Sequence, residues 1–180
     1  MLKRIVCAGL GGQGVLTQGK ILMHAAYEKG LKFTWFPAYG NEMRGGNANS
    51  SVIISDAKIA NPYADHPDIL LAMSEPAVDL YMDAMAEGGL LVVNSSLVPE
   101  DKKYRNDVTV VKVPVTEIAQ QLNSERNANL VMLGVLVKAS DMFTIDEFQN
   151  AMCAYFEEMG KGKFNDKNKE MIRAGYDYKF

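Results

Sequence analysis

Cysteine is scarce: Cys7 and Cys153 are the only two in the chain, far apart, and neither belongs to a CxxC pair. That shortage excludes a thiolate-held zinc or iron–sulfur centre of the chain's own and fits a reducing, cytoplasmic setting. Histidine is as rare. His24 falls in a helical stretch and His66 precedes Pro67, neither with cysteines or paired carboxylates at ligand spacing, so no metal site is expected. Positive charge is not in excess, since 19 basic residues face 22 acidic ones for a net charge of -3. No basic field is therefore available to hold nucleic acid or anionic lipid. Long apolar runs are also missing. Ile69 to Met73 and Leu90 to Val93 fall far short of the roughly 20 residues that a membrane span needs. Lys3 and Arg4 precede an apolar stretch, but glycines break it at Gly9, unlike the continuous core of a signal peptide. Ser95 and Ser96 follow a strand-like run without a nucleophile elbow around them, so serine catalysis has no support.

What is present is the composition of one globular domain spanning residues 1–180, with 48% hydrophobic and 23% charged residues. Arg4 to Ala8 reads as a buried strand, a glycine turn follows, and apolar residues recur at helical spacing from Gln13 to Lys29, with Gly30 as a stop. Phe33 to Phe36 reads as a second strand closed by Pro37, which cannot continue a ladder. A polar loop then runs from Pro37 to Ser50. Because it holds no crossover helix, the next strand, Ser51 to Ser55, is expected to run antiparallel. Ile69 to Met73, Leu90 to Asn94 and Val108 to Val113 read as further strands, with a helix predicted from Pro76 to Ala86. Helical periodicity marks Val115 to Leu122, Leu130 to Ala139 and Ile145 to Met159. The fold class expected is α/β: a single-domain, Rossmann-like three-layer sandwich with a mostly parallel sheet and a helical C-terminal third.

The sharpest local signal is Gly9-Leu10-Gly11-Gly12-Gln13-Gly14, lying between a strand and a helix with its glycines at GxGxxG spacing. Glycines permit a tight turn and close backbone approach, and a helix N-terminus favours an anionic phosphate. Gly9, Gly11, Gly12, Gln13 and Gly14 are thus candidate cofactor-binding residues. A dinucleotide site would place an acidic residue roughly 20 positions on, yet no carboxylate occurs between Glu28 and Glu42, which disfavours NAD. The plainer alternative is that these glycines only let the helix pack closely on the sheet.

The second signal is the loop Pro37 to Asn49. Arg44, followed by Gly45 and Gly46, suits a phosphate or carboxylate because its planar fork donates bidentately, and it joins the cofactor-binding candidates. Tyr39, Glu42, Arg44, Gly45, Gly46 and Asn47 are expected to form a substrate or interface loop facing the same crevice as the glycine turn. An Arg44–Glu42 pair on a solvated loop is the bland alternative. Asp79, Asp83 and Glu87 recur at intervals of four and read as a solvated helix face, and the eleven methionines read chiefly as core filling. In Arg126-Asn127-Ala128-Asn129 an asparagine is expected to cap the apolar helix that follows. No catalytic residue stands out.

In this order, Gly-Leu-Gly-Gly-Gln-Gly, Thr-Trp-Phe-Pro-Ala-Tyr-Gly-Asn-Glu-Met-Arg-Gly-Gly and Asn-Ala-Asn-Leu-Val-Met-Leu-Gly resemble the gamma subunit of 2-oxoacid:ferredoxin oxidoreductases. The similarity runs from Arg4 to the C-terminal helices. Ala38 and Asn41 depart from the serine and proline usual there. The resemblance implies a multi-subunit enzyme that oxidatively decarboxylates a 2-oxo acid, passes the acyl group to coenzyme A and delivers electrons to ferredoxin. It implies thiamine diphosphate, Mg2+ and iron–sulfur clusters on other subunits, with coenzyme A as co-substrate and no cofactor held wholly by this chain. Its partners would be alpha, beta and ferredoxin-like delta subunits, with contacts between two copies of the chain left open. The Trp35-containing stretch looks more like the 2-oxoglutarate type than the pyruvate type. A stand-alone NAD- or flavin-binding oxidoreductase and a purely structural assembly subunit are the competing readings.

Overall fold

The computed structural model describes residues 1–39 and 45–180, with Tyr39 described by its backbone. Six strands form one sheet: β1 (Leu2–Leu10), β2 (Lys32–Tyr39), β3 (Asn47–Ser55), β4 (Ile69–Ala72), β5 (Leu90–Asn94) and β6 (Thr109–Val113), in the order β2-β3-β1-β4-β5-β6. β3 runs antiparallel to both β1 and β2, and the pairs β1–β4, β4–β5 and β5–β6 are parallel, so only β3 is reversed. The helices are α1 (Val15–Glu28), α2 (Glu75–Tyr81), α3 (Val115–Gln121), α4 (Ala128–Ser140), α5 (Ile145–Glu158) and α6 (Asn165–Asp177).

Strand periodicity divides the core. Ile5 and Cys7 of β1 face one side with Val15, Ile21 and Leu22 of α1 and the apolar stretch of α4, whereas Val6 and Ala8 face the other with Ala77 and Val78 of α2. The three-layer α/β expectation holds, with unequal outer layers. α1, α3, α4, α5 and α6 all contribute to the first face, while α2 and its flanking loops cover the second.

Helix α4 is buried at every position from Ala128 to Val137, which is why its apolar character has no preferred side. α6 covers it at very short range. A Cβ on Gly134 would collide with the Ile172 carbonyl, and one on Gly175 with the Val131 carbonyl, so two glycines set the crossing. No separate helix was expected beyond Met159. α6 carries few apolar residues, and only Asn168, Met171, Ile172 and Gly175 are buried, a stripe too narrow to stand out in the sequence.

Several boundaries differ from expectation for identifiable reasons. Pro37 does not end β2; it pairs with Ser50 inside the strand, and β2 tolerates it because it is an edge strand whose outer side needs no ladder donor. Within the stretch expected as a polar loop, 37–39 belong to β2 and 47–50 to β3, and the two strands pair there. α2 stops at Tyr81 instead of reaching Ala86, followed by a 3-10 turn over Met82–Ala84. Arg105 binds the segment beyond the helix end, its guanidinium donating to the carbonyls of Met82, Asp83 and Met85 at 2.9–3.1 Å. The carboxylate stripe is broken with it. Asp79 instead shares Lys102 with Glu75, at 2.5 and 3.0 Å.

Two outcomes follow for stability. Gly134→Ala must push α6 off α4, and overpacking of this kind costs about 1–3 kcal/mol; denaturant unfolding should show that loss, and an unchanged midpoint would refute the close crossing. Glu147 accepts from the Thr144 N–H at 2.9 Å and from Lys29 Nζ at 3.1 Å, which hold its carboxyl below the ordinary glutamate range. A lowered folded pKa stabilises above the usual glutamate range and ceases to do so as pH falls through the folded value. Glu147→Gln should therefore melt below the parent at neutral pH, with the gap closing in acid; a gap independent of pH would contradict this.

Candidate functional site

From β1 the chain runs to β2 and β3 on one side, and from β3 it crosses to β4 and β5 on the other, so the strand order reverses at β1, and the carboxyl ends of β1 and β4 border the place where open α/β sheets bind ligands. The glycine turn lies there. Gly14 is the N-cap of α1 at φ 74°, and Gly12 has φ 96°, conformations that side-chain-bearing residues rarely adopt. Gly14 has no side chain to cap α1, and among the described residues the partial positive end of the helix remains for another acceptor. Gly11 and Gly12 are exposed, and a Cβ on Gly12 would meet open space.

Gln13 faces inward. Its Oε1 accepts from the Leu10 N–H at 2.7 Å and its Nε2 donates to the Met73 carbonyl at 3.2 Å, which ties the turn to the end of β4. Gly9 makes this possible, because a Cβ there would lie 2.5 Å from that Oε1 and 2.9 Å from Met73 Cβ. The same carbonyl accepts from Asn94 Nδ2 at 3.1 Å, and Asn94 Nδ2 also donates to Thr116 Oγ1 at 2.9 Å.

The start of α4 closes the turn from behind. Asn129 Nδ2 donates to the Gly14 carbonyl at 3.2 Å, and Gln18 Nε2 donates to the Asn129 carbonyl at 3.1 Å. The capping role expected at this helix start is thus corrected. Asn127 occupies the N-cap without a side-chain cap bond, its amide donating instead to Ser124 Oγ at 3.0 Å. Asn129 is spent on the glycine turn.

The hairpin reaches the same place. Leu10 pairs with Asn47, and the Gly11 N–H donates to the Gly46 carbonyl at 2.8 Å, so the hairpin tip rests on the turn. Its stem is held from both faces. Trp35 Nε1 donates to Ser50 Oγ at 2.7 Å beside α1, and Asn49 Nδ2 donates to the Tyr81 hydroxyl at 2.6 Å on α2. Partial burial pushes the Tyr81 phenol up and keeps it neutral. Gly45, Gly46 and Asn47 therefore sit against the glycine turn, with Gly45 and Asn47 exposed. The backbone of Tyr39 ends β2; Glu42 and Arg44 lie outside the described residues.

Sequence reasoning missed Asn94, Gln18 and Ser74. Each is buried, and the Ser74 hydroxyl has no hydrogen-bond partner. The available signal was a polar residue directly ending an apolar strand, as in Val92-Val93-Asn94 and Ala72-Met73-Ser74. The other titratable candidates are structural. His24 Nε2 lies 3.3 Å from Glu158 between the edges of Tyr27 and Tyr155, and His66 Nδ1 is 3.2 Å from the Ala84 carbonyl. Burial pushes the thiols of Cys7 and Cys153 up, which suits neither nucleophile nor metal ligand. Among the described residues no group of three His, Cys, Asp or Glu could hold a metal ion. No described helix is long and apolar enough to cross a membrane.

Residues 4–178 match the family model for pyruvate ferredoxin/flavodoxin oxidoreductase. The chain belongs to that family. It is 37% identical over 180 residues to the 2-oxoglutarate synthase subunit KorC of Methanocaldococcus jannaschii, covering 98% of this chain and 94% of that protein. It is also 37% identical over 175 residues to the ketoisovalerate oxidoreductase subunit VorA of Methanothermobacter thermautotrophicus, covering 97% of this chain. There the chain spans 36% of the relative's length. Among solved structures, the gamma subunit of keto/oxoacid ferredoxin oxidoreductase from Geobacter sulfurreducens superposes with a TM-score of 0.81 at 29% identity, covering 97% of this chain and 96% of that one. Within this oxidoreductase-family chain, the three stretches that carry the resemblance, the glycine turn, the hairpin and the start of α4, converge on one end of the sheet.

Asn94→Leu should leave the Met73 carbonyl with one donor and Thr116 with none, costing about 1–3 kcal/mol. Denaturant unfolding checks the loss. Faster amide exchange at 9–16 should accompany it, and unchanged exchange there would uncouple Asn94 from the turn.

Proposed function

We propose that the chain acts as the gamma component of a 2-oxoacid:ferredoxin oxidoreductase, in the coenzyme A-dependent oxidative decarboxylation of a 2-oxo acid. The products are acyl-CoA and CO2, with electrons passing to ferredoxin. The observation that carries this reading is the family match across residues 4–178, which spans the turn, the hairpin and α4 together. The chain's own chemistry agrees with an accessory role. With two buried, separated cysteines and no metal-ligand cluster among the described residues, it does not fit an iron–sulfur cluster or the Mg2+ of thiamine diphosphate. Those groups belong to the alpha, beta and ferredoxin-like delta chains that the reading requires as partners, assembled in the reducing cytoplasm.

The chain's contribution is the crevice. Exposed Gly11 and Gly12 at the uncapped start of α1 suit a phosphate of coenzyme A. Gly9, Gln13 and Gly14 build the turn, Gln13 as a positioning residue whose amide is occupied by backbone partners. To Tyr39, Glu42, Arg44, Gly45, Gly46 and Asn47 this reading gives contact with substrate or a partner subunit, with Arg44 as the anion donor. A partner seated on this rim excludes bulk water from the reacting centre. The 2-oxo acid proposed is 2-oxoglutarate, a choice supported by the likeness to KorC over nearly both full lengths, with ketoisovalerate and pyruvate the alternatives that the assay separates. Trp35 has no direct part in that choice, since its indole is occupied by Ser50 and Lys20.

Anaerobic affinity purification from native extract, followed by assay of coenzyme A-dependent 2-oxo acid oxidation, tests the reading. Co-elution of thiamine- and iron–sulfur-binding chains with activity highest on 2-oxoglutarate is expected. A chain that elutes alone and binds NAD or a flavin would overturn it. In the assembled complex Arg44→Ala should raise the KM for coenzyme A about tenfold, the loss of one charge-assisted contact. Full activity at unchanged KM would remove Arg44 from the site, and failed assembly would favour a structural role.

A further inference from the structure

A second concavity lies apart from the crevice, between the link that joins α3 to α4 and the α5–α6 corner. It encloses about 600 Å³, within the size range of small-molecule sites. Its walls carry Arg126, Lys161 and Lys167 against one carboxylate, Glu125, in a chain whose net charge is -3. Lys167 pairs with Glu170 at 2.8 Å, whereas Arg126 and Lys161 form no ion pair among the described residues. Two phenyl rings, Phe156 and Phe164, complete the lining, and Phe164 is 50% exposed although large and apolar. Asn127 and Asn168 join across the floor, with Asn127 Nδ2 donating to Asn168 Oδ1 at 3.4 Å.

This combination has a chemical meaning. Cations brought to one concavity from its two sides, Arg126 from the α3–α4 link and Lys161 from the α5–α6 corner, attract an anion, and more than one of them suits the double charge of a phosphate better than a single carboxylate. The exposed Phe164 ring, with Lys163 Nζ 5.0 Å from its centroid, offers a stacking surface for a planar base, while Phe156 is half-buried against the core. We infer that this pocket binds a nucleoside phosphate, its phosphate held by Arg126 and Lys161 and its base set against Phe164. The site is separate from the glycine turn, since its lining contains no residue of the turn and not Asn129, which contacts Gly14. It does not depend on the function proposed above, and its test needs neither partner subunits nor a 2-oxo acid.

Isothermal titration of the purified full chain with ADP, and separately with inorganic phosphate, provides the test. Saturable ADP binding is expected, weakened about tenfold by Arg126→Ala and again by Lys161→Ala, one charge-assisted contact each. Phe164→Ala should weaken ADP binding while leaving phosphate binding unchanged. All three side chains lie on the surface, so the variants should fold, which thermal melting confirms. Hydrogen exchange with ADP present should slow at 123–127 and 161–168. The inference fails if ADP gives no saturable heat, if Arg126→Ala binds it as tightly as the parent, or if protection falls at 9–16 instead.

Discussion

One carbonyl oxygen organises the functional end of this molecule. Met73 follows the last residue of β4, between β1 and β5, and its oxygen accepts from both Gln13 and Asn94. Through Gln13 it fixes the glycine turn, and through Asn94 it fixes the exit of β5 and the start of α3 at Thr116. Each such bond is worth only about 1 kcal/mol net, but a buried donor left alone costs about 1–3 kcal/mol, so the arrangement is all or nothing. The buried amides of Gln18 and Asn129 extend the network into α1 and α4. Pre-organisation of the crevice is thus a consequence of satisfying polar groups that strand burial has removed from water.

The reversed strand supplies the second wall. Inserting β3 between β1 and β2 sends the hairpin tip back over the turn that β1 has just made, and the bond from Gly11 to Gly46 closes the contact. An all-parallel sheet would place a helix in that position. Close packing keeps the hairpin in register. A Cβ on Gly19 of α1 would meet Trp35 Nε1 at 2.7 Å, so the helix lies directly on the Trp35–Ser50 pair.

Much of this was legible in the sequence, and for physical reasons. Ile5, Val6, Cys7 and Ala8 form an apolar run with no polar alternation because β1 is covered on both faces. The lack of a crossover helix before Ser51 announced the antiparallel strand. The glycine turn and the hairpin were expected to share a crevice, and Gly11 and Gly46 meet there. What the sequence concealed depended on partners distant along the chain. Pro37 looks like a stop unless β2 is known to be an edge strand, and α2 looks longer than it is because Arg105, far downstream, binds the carbonyls of the 3-10 segment that follows Tyr81. Asn129 looks like a cap because its true acceptor, Gly14, lies 115 residues away in sequence. α6 escaped notice since its buried stripe is two glycine-set contacts and a few apolar residues on an otherwise polar helix.

The glycine turn is bonded to the residues that lead into β3 through Gly11 and Gly46, and in the proposed function a partner subunit covers the rim that they form. Hydrogen exchange of residues 9–16 and 45–49, in the chain alone and in the assembled complex, addresses it most directly. The account requires slow exchange at Gly11 already in the free chain, because its N–H is bonded to Gly46, with Gly12 protected only on assembly. Identical exchange at Gly12 in both states would show that no partner covers the rim and would contradict the account.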